Sequence, residues 1–344
     1  MTTKANYSSI DIFSGVGGLS EGMRQAGFDT KVAIEIEADA VLAFKMNHEK
    51  TDVIQKDIRL ITAEEIKEKL DGQQLHLLAG CPPCQGFSSI RRLNRKKNVR
   101  DNRNGLVLEY LRLVKELNPL TIMMENVPGL KDYYLFKDVV KELERSGYSP
   151  KVEVVNVRDY GVPQNRRRLV MVGSLLGDIQ VAKGNNEKRT VRDAIGDLVS
   201  IEKTDDLIHK IVASHNPEVL KRIKLTPKNG GSWKDLPKKY ILDCHDKKNV
   251  GFNDVYGRLR WDDYSSTITG GCLNPSKGRF LHPEEDRCIT AREAALLQSF
   301  PKTYKFPTDI SKTSLALLIG NALPPKLSYL QSKNIREHLD KHLG

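Results

Sequence analysis

The chain has 344 residues and a formal net charge of +11. Of its residues, 39% are hydrophobic and 29% are charged, which is typical of a soluble globular protein, and the length suits one large domain or two of ordinary size. No apolar run approaches the ~20 residues that a membrane span needs, and the polar first residues carry no signal-peptide core, which argues against a secreted or membrane-embedded protein. Five cysteines are too few and odd in number for a disulfide scaffold, and they fit a reducing cytoplasm.

Short β-rich apolar runs alternate with helical patterns in the first half of the chain. The predicted strands are Ser9–Phe13, Lys31–Ile36, Leu75–Ala79, Thr121–Glu125, Val152–Val157 and Leu169–Gly173. The predicted helices between them are Gly18–Ala26, Ala38–Asn47, Ala63–Leu70, Gly105–Leu117 and Phe136–Ser146. This alternation predicts an α/β fold with a doubly wound, mostly parallel sheet of the Rossmann-like kind.

The alternation ends after about Leu176. Residues 177–290 are rich in Gly, Pro, Asn and Lys, which predicts a second, smaller, irregular domain. Helical patterns return at Ala291, and Ser328–Leu343 predicts a terminal helix. The expected division is therefore a larger domain of residues 1–176 plus 312–344 and a smaller one of residues 177–311.

The positive charge is concentrated in two segments. Residues 91–103 carry seven basic residues and one acid, residues 221–248 carry nine basic residues and three acids, and the rest of the chain sums to −1. A single charged run is as often a solvated face as a binding surface. Two such runs in a nearly neutral chain favour a surface that faces phosphates and predict a polyanionic partner.

A glycine-rich turn, Ser14-Gly15-Val16-Gly17-Gly18, follows the first predicted strand and precedes a helix. Glycines at such a turn let the backbone approach a ligand closely, although glycines alone are also typical of an ordinary tight turn. A dinucleotide fingerprint would need glycine at position 20, which is Ser20, so the pyrophosphate-binding pattern is incomplete. This departure argues against an NAD-dependent oxidoreductase.

Two acids follow the next strands along the chain. Glu35 lies where a ribose diol is bound in such folds, and Asp57-Ile58, at the end of a third short strand, could contact an adenine edge. A cofactor with a nucleoside but no pyrophosphate suits this set, and S-adenosylmethionine is the candidate. Its sulfonium would be stabilised by an aromatic face such as that of Phe13.

Two cysteines flank a Pro-Pro pair in the segment Gly80-Cys81-Pro82-Pro83-Cys84-Gln85-Gly86-Phe87-Ser88. A buried, inert thiol is the usual fate of such a cysteine. A zinc site would need two further ligands at similar spacing, but Cys244, Cys272 and Cys288 are isolated, and the surrounding chain does not resemble a small redox domain. The remaining interpretation is a nucleophile held by a rigid turn at the carboxyl end of a parallel strand.

An ordered series of motifs across nearly the whole chain resembles the cytosine-5 DNA methyltransferases. These motifs are Asp11–Gly18 for the cofactor loop, Pro82–Ser88 for the nucleophile, Glu125-Asn126-Val127 for the acid, Gln164-Asn165-Arg166-Arg167-Arg168, Arg258–Thr269, and Gly320-Asn321-Ala322-Leu323-Pro324-Pro325. The resemblance is weakest between about residues 177 and 257, where that family varies most.

The resemblance implies a role for each residue that matches a motif. Cys84 would attack C6 of cytosine, because a soft sulfur nucleophile suits addition to the ring and turns C5 into an enamine-like carbon. Glu125, which alone could equally be a solvated strand-end acid, would support N3. Arg168 would contact O2 and fix Glu125, and Arg166 would support Cys84 or the nearby DNA backbone. The target base would have to be flipped out of the duplex.

The resemblance also implies two sets of binding residues. The expected S-adenosylmethionine contacts are Phe13, Ser14, Gly15, Gly17, Gly18, Leu19, Glu35, Ile36, Asp57, Ile58, Pro82, Leu106, Asn321 and Ala322. The expected DNA contacts are Gln85, Ser88, Arg91, Arg92, Arg95, Lys96, Lys97, Gln164 and Arg258. The smaller domain would be the target-recognition domain, with its variable region at about 177–257. Trp233, in the loop Gly230–Trp233, would either enter a DNA groove or pack the small core.

The expected function is therefore a sequence-specific DNA cytosine-5 methyltransferase, the modification partner of a restriction-modification system. We expect a monomer in the bacterial cytoplasm or nucleoid that acts on double-stranded DNA, without a metal, a membrane or a stably bound nuclease. A transfer-RNA methyltransferase of the same architecture is the close alternative, and the separate variable region with its lysines favours DNA. A DNA-binding repressor that has lost catalysis is a third interpretation, and the intact Cys84, Glu125 and Arg168 argue against it.

Overall fold

The structure is a computed structural model that describes residues 7–83, 105–243, 245 and 254–344. The chain forms two compact units. The first unit contains residues 1–160, 167–185 and 323–344, and the second unit contains residues 161–166 and 186–322. The functional division expected at residues 177 and 312 stays a prediction.

A seven-stranded sheet organises the first unit, in the order β3-β2-β1-β4-β5-β7-β6. The strands are β1 (Tyr7–Ile12), β2 (Phe28–Glu35), β3 (Asp52–Gln55), β4 (Leu77–Gly80), β5 (Thr121–Asn126), β6 (Lys151–Asn156) and β7 (Arg167–Ser174). The first five strands in this order, β3, β2, β1, β4 and β5, pair in parallel. Strand β7 is antiparallel to both of its neighbours, β5 and β6. The predicted α/β fold with a mostly parallel sheet is confirmed.

The helices in the described part of the first unit connect and cover these strands. They are α1 (Gly18–Gln25), α2 (Ala38–Lys45), α3 (Ala63–Leu70), α4 (Leu106–Leu117), α5 (Tyr134–Arg145) and α10 (Pro325–Leu343), with short 3₁₀ helices at Ile58–Leu60, Pro128–Asp132 and Val157–Tyr160. Every residue of β1 is buried, as is typical of a parallel strand covered on both faces. Helix α4 buries residues at helical spacing, so it contributes one amphipathic face to the core.

The second unit is irregular, as its composition predicts. Its helices are α6 (Val191–Ile195), α7 (Pro217–Leu225), α8 (Ala291–Leu297) and α9 (Lys312–Asn321), with 3₁₀ helices at Trp233–Asp235, Lys238–Tyr240 and Pro275–Lys277. Every residue of α8 is buried, and a Thr290–Glu293 capping box fixes its start. Trp233 packs in a small core with Leu236 and Tyr256, so of its two expected placements the structure favours the core.

Within the described ranges, no helix combines the length and the apolar character that a membrane span requires.

Candidate active site

The register of the central strands places three ionisable side chains, those of Asp11, Cys81 and Glu125, on one face of the sheet. Asp11 of β1 pairs with Ala79 of β4, which pairs with Met123 of β5. Side chains two residues apart in a strand share a face. Cys81, which continues β4, and Glu125 therefore follow Ala79 and Met123 on the face that carries Asp11. The carboxyl ends of parallel strands are where such sheets bind their ligands.

Strand β7 adds a guanidinium group to this face. Glu125 lies opposite Val170 of the antiparallel β7, so Arg168, two residues away, is on the same side. Arg168 Nε lies 2.7 Å from Glu125 Oε1, and both side chains are nearly buried, with 14% and 12% of their surface exposed. Burial lowers the pKa of Arg168, and the charge of Glu125 opposes that change. The structure thus brings together two residues that the sequence placed in the site.

Cys81 is the neighbour of Glu125 that sequence reasoning missed as part of the site. Its free thiol is half-buried. Burial, the nearby charges of Glu125 and Asp11, and a hydrogen bond with Glu125 all raise the pKa of the thiol well above its usual value. The turn that follows is fixed by Asn126, whose Nδ2 donates to the Pro82 carbonyl at 2.8 Å. The position of Cys81 just after the predicted strand Leu75–Ala79, at the edge where such sheets bind ligands, was the sequence signal that could have found it.

The loop after β1 has an unusual backbone. Gly15 and Gly17 adopt φ angles of 53° and 87°, in the left-handed region that glycine tolerates. Phe13 also has a positive φ, 60°, which is uncommon for a bulky residue and tends to mark functional sites. A Cβ atom placed on Gly15 would have no described heavy atom within 4 Å. The expected cofactor loop is therefore a strained turn with open space beside it.

Glu35 ties this loop to the end of β2. Its carboxylate accepts hydrogen bonds from the backbone N–H of Gly15 at 2.8 Å and from those of Ile36 and Glu37 at 2.8 and 2.9 Å. The apolar side chain of Ile36 is 55% exposed beside it. An exposed apolar residue next to a fixed carboxylate can contact both the flat face and the hydroxyl groups of a nucleoside.

The other expected cofactor contacts of the first unit lie just after strands or near the starts of helices. Asp57 and Ile58 follow β3 instead of ending it, and Asp57 caps a 3₁₀ helix by accepting from the Arg59 backbone N–H at 3.0 Å. Hydrogen bonds from Arg59 also lower the pKa of Asp57. Four expected contacts have little or no side-chain exposure: Leu19, Ile58, Pro82 and Leu106. Ser14 is also buried, and its carbonyl accepts from the Gly17 N–H at 2.9 Å.

Two expected DNA contacts are buried inside the second unit. Gln164 donates to the Leu297 carbonyl and to Gln298, and its Oε1 accepts from the Ile268 N–H at 2.9 Å. Arg258 is fully buried, and its guanidinium group donates to four backbone carbonyls and the Asp286 carboxylate. Such saturation leaves little donor capacity for a phosphate. The geometry gives Gln164 and Arg258 a structural role, and their expected DNA contacts stay predictions.

Arg166 also bonds within the second unit. Its Nη1 donates to the Ile268 carbonyl at 2.7 Å and its Nη2 to the Gly320 carbonyl at 3.1 Å, so it joins two distant chain segments. The expected support of Cys84 by Arg166 stays a prediction. Asn321 ends α9 and Ala322 follows it, and their expected contact with the cofactor also stays a prediction.

The second unit carries a cationic surface around one tyrosine. The Nζ atoms of Lys221 and Lys239 each lie 5.2 Å from the centroid of the Tyr240 ring. Both lysines lower the pKa of the Tyr240 hydroxyl. Neither lysine forms an ion pair with an acid in the part of the chain that the structure describes. We call Lys221, Lys239 and Tyr240 the Tyr240 patch.

Several expected site residues lie outside the described residues. They are Cys84, Gln85, Ser88, Arg91, Arg92, Arg95, Lys96 and Lys97. Among the residues that the structure does describe, no three His, Cys, Asp or Glu side chains are grouped to hold a metal ion.

Comparison with known proteins identifies the family. The model of the C-5 cytosine-specific DNA methylases matches residues 7–337. The chain belongs to this family. The enzyme is 36% identical to the type II methylase M.HgiDII of Herpetosiphon aurantiacus over 96% of this chain and 95% of that protein. It is 31% identical to the type II methyltransferase M1.HphI of Haemophilus parahaemolyticus, over 93% and 84%.

A solved structure agrees with this assignment. A prophage-encoded DNA modification methyltransferase from E. coli matches this fold with a TM-score of 0.75 and 26% identity, over 97% of this chain and all of that one. The enzyme is therefore a DNA cytosine-5 methyltransferase, and the ordered motifs in its sequence are those of its family. The family assignment removes the oxidoreductase and repressor alternatives.

Proposed function

We propose that the enzyme methylates C5 of one cytosine within a specific sequence of double-stranded DNA, as the modification partner of a restriction-modification system. Two of its relatives are named type II methylases or methyltransferases. We further propose that it works as a monomer in the bacterial cytoplasm, on DNA alone, with the cognate nuclease as a separate protein. Cys84 is the proposed nucleophile.

The ion pair between Arg168 and Glu125 is the observation that carries this proposal. Both groups lie at the edge of the sheet formed by the carboxyl ends of its parallel strands, where β4 continues into Cys81 and the Pro82-Pro83 pair that precedes Cys84 in the sequence. Cytosine offers O2 and N3 as adjacent acceptors on one edge. A guanidinium donor beside a carboxyl group that can carry a proton matches those two acceptors. Withdrawing electron density at N3 and O2 favours addition of a nucleophile at C6.

S-adenosylmethionine is the proposed methyl donor, and the residues beside the β1 loop fit it. The open space at Gly15 allows close backbone approach, and the Glu35 carboxylate and the exposed Ile36 suit a ribose and a purine face. The N-cap of α1 is Gly17, which has no side chain to cap the helix, so the first N–H groups can bind a carboxylate. When bound, this group supplies a methyl group that is activated by a positively charged sulfur.

The proposed chemistry balances around the pyrimidine ring. The Cys84 thiolate forms a bond to C6 while N3 takes a hydrogen bond or proton from Glu125, and C5 becomes nucleophilic. C5 would then take the methyl group as the bond between that methyl and the donor's sulfonium sulfur breaks, which would leave a neutral thioether, and C5 would lose its proton to a bound water. Elimination breaks the bond between sulfur and C6, which restores the aromatic ring and the thiolate.

Trapping with 5-fluorocytosine tests this function. Fluorine cannot leave C5 as a proton does, so the enzyme should remain covalently attached to duplexes that contain 5-fluorocytosine at its site, in the presence of the methyl donor. The site itself is found first by bisulfite sequencing of DNA from cells that express the gene. Peptide mapping of the adduct should locate the bond at Cys84.

Matched variants separate the steps. Cys84→Ser should bind the same duplex without forming the adduct. Glu125→Gln and Arg168→Lys should reduce the rate of adduct formation by about a hundredfold or more, because each removes a group that stabilises charge on the ring. An adduct formed equally by Cys84→Ser, or methyl transfer to transfer RNA instead of duplex DNA, would contradict the proposal.

A further inference from the structure

Cys81 stands in the site but has no part in the chemistry proposed above. It precedes the Pro-Pro turn and continues β4, because its backbone N–H donates to the Ile12 carbonyl at 3.3 Å. Gly80 pairs with Met124, so the next position on each strand brings Cys81 beside Glu125. The two side chains share one face of the sheet, and the Glu125 carboxyl group acts on the thiol by its charge and by a hydrogen bond, which both raise the pKa of the thiol.

The direction of this hydrogen bond follows from the surrounding charges. The groups that act on the thiol are Glu125 on β5, Asp11 on β1 and Arg168 on β7, and Tyr110 of α4 lies close enough to sense its charge. Two carboxyl groups and burial raise the pKa of the thiol, and Arg168 only partly opposes them. The sulfur therefore stays protonated near neutral pH, and S–H donates to a Glu125 oxygen.

We propose that Cys81 is a positioning residue for Glu125, whose carboxyl group it holds together with Arg168. Two donors arriving from two different strands fix a carboxyl group more tightly than either donor alone. A carboxyl group held in one orientation keeps its proton directed at one point, which is what donation to a ring nitrogen requires. The inference rests on the proposed function of Glu125 and extends it to a second side chain.

The test compares Cys81→Ala with Cys81→Ser. Serine keeps a short hydroxyl donor at the same position, whereas alanine keeps the volume near the backbone but donates nothing. We expect kcat of Cys81→Ala to fall about 5- to 20-fold, and kcat of Cys81→Ser to stay within about threefold of the parent. KM for the duplex and for S-adenosylmethionine should change little in either variant, because the bond acts on the carboxyl group and not on binding.

A pH profile distinguishes positioning from simple loss of structure. A donor to a carboxylate favours its ionised form, so removing the donor favours the protonated form. The pH profile of kcat should therefore differ from that of the parent in Cys81→Ala, and Cys81→Ser should restore the parent profile. Unchanged kcat and an unchanged profile in Cys81→Ala would overturn the proposal, and so would an equal loss in both variants.

A second measurement does not depend on turnover. In a Cys84→Ala background, the rate of alkylation of Cys81 by iodoacetamide, followed by peptide mass spectrometry, reports its thiolate fraction. Replacing Glu125 by Gln removes the charge that keeps the thiol protonated, so alkylation near pH 8 should accelerate several-fold. The conservative change Asp71→Asn, at an exposed acid before β4 and therefore at the opposite edge of the sheet, should leave the rate unchanged. If Glu125→Gln has no effect, the Cys81–Glu125 contact is wrong, even if the enzyme methylates DNA as proposed.

Discussion

The carboxyl group of Asp11 is fully buried, with a hydrogen-bond partner for only one of its oxygens among the described residues. Its Oδ2 accepts from the Ser20 hydroxyl at 2.6 Å, while its Oδ1 is buried without a hydrogen-bond partner. Burial raises the pKa of Asp11 to about 7, the charge of Glu35 adds to this, and Ser20 opposes it. The folded chain therefore holds a proton on Asp11 that the unfolded chain releases near pH 4.

This shift has a defined sign in the pH dependence of stability. Because the pKa of Asp11 is higher in the folded state, this carboxyl group contributes fully to the free energy of unfolding below about pH 4. The contribution is lost as the pH rises through about 7. Asp11→Asn removes the titration. Between pH 5 and 8 the wild type should lose about 2 to 3 kcal/mol of unfolding free energy relative to Asp11→Asn. Urea unfolding of both proteins without ligand measures this difference, and parallel pH curves would contradict it.

At the scale of elements, the close approach of α1 and α10 determines how the N- and C-terminal parts of the first unit pack. A Cβ atom on Gly22 would lie 2.3 Å from the Ser328 Cβ and 2.5 Å from the Tyr329 backbone nitrogen. Ser328 also donates its hydroxyl hydrogen to the Leu19 carbonyl at 2.7 Å. The contact involves backbone atoms, which cannot move aside as the end of a flexible side chain can.

Gly22→Ala should therefore destabilise the protein although alanine is the better helix former. We expect a loss of about 1 to 3 kcal/mol, because overpacking outweighs a helix-propensity gain of about 1 kcal/mol. Lys333→Ala, on the exposed side of α10, should stay within about 0.5 kcal/mol of the parent. Chemical denaturation of the two variants provides the comparison, and equal stability would show that α1 and α10 are not packed this closely.

The elements that the sequence predicts best are those with local signals. Helix α3 matches its predicted bounds to the residue, since the Thr62–Glu65 capping box marks its start. Helix α10 begins at Pro325, three residues before its predicted start, because proline suits the first helical turn. Long-range pairing has no local signal. The insertion of β7 between β5 and β6 is therefore visible only in the structure.

The same limit explains which site residues could be interpreted from the sequence. Motif matches single out Arg168 and Arg258 equally, since both are arginines in ordered family motifs. Arg168 meets a carboxylate at a strand end, whereas Arg258 is buried among carbonyls contributed by residues 24 to 35 positions away in the chain. Only the folded chain distinguishes an arginine that faces a site from one that holds a loop-rich unit together.

At the scale of the whole molecule, the +11 net charge attracts the DNA phosphates before any base is contacted. The Tyr240 patch holds two lysines around one aromatic ring without a carboxylate to pair with them among the described residues. Holding like charges close together costs free energy, and a bound polyanion would relieve that cost by neutralising both lysines. The counterions that the polyanion releases would favour binding further. We therefore expect the patch to bind the phosphate backbone and not the bases.

Replacing Lys221 and Lys239 by Gln should weaken binding to cognate and non-cognate duplexes by the same factor. The slope of log K against log salt, measured by fluorescence anisotropy between about 50 and 200 mM salt, should fall by about one for each lysine. Lys115→Gln is the matched control, because its Nζ lies 2.6 Å from Glu142 on the first unit and is already neutralised. An unchanged slope would contradict the phosphate contact. A loss confined to the cognate duplex would instead place these lysines at the bases, since only base contacts distinguish sequences.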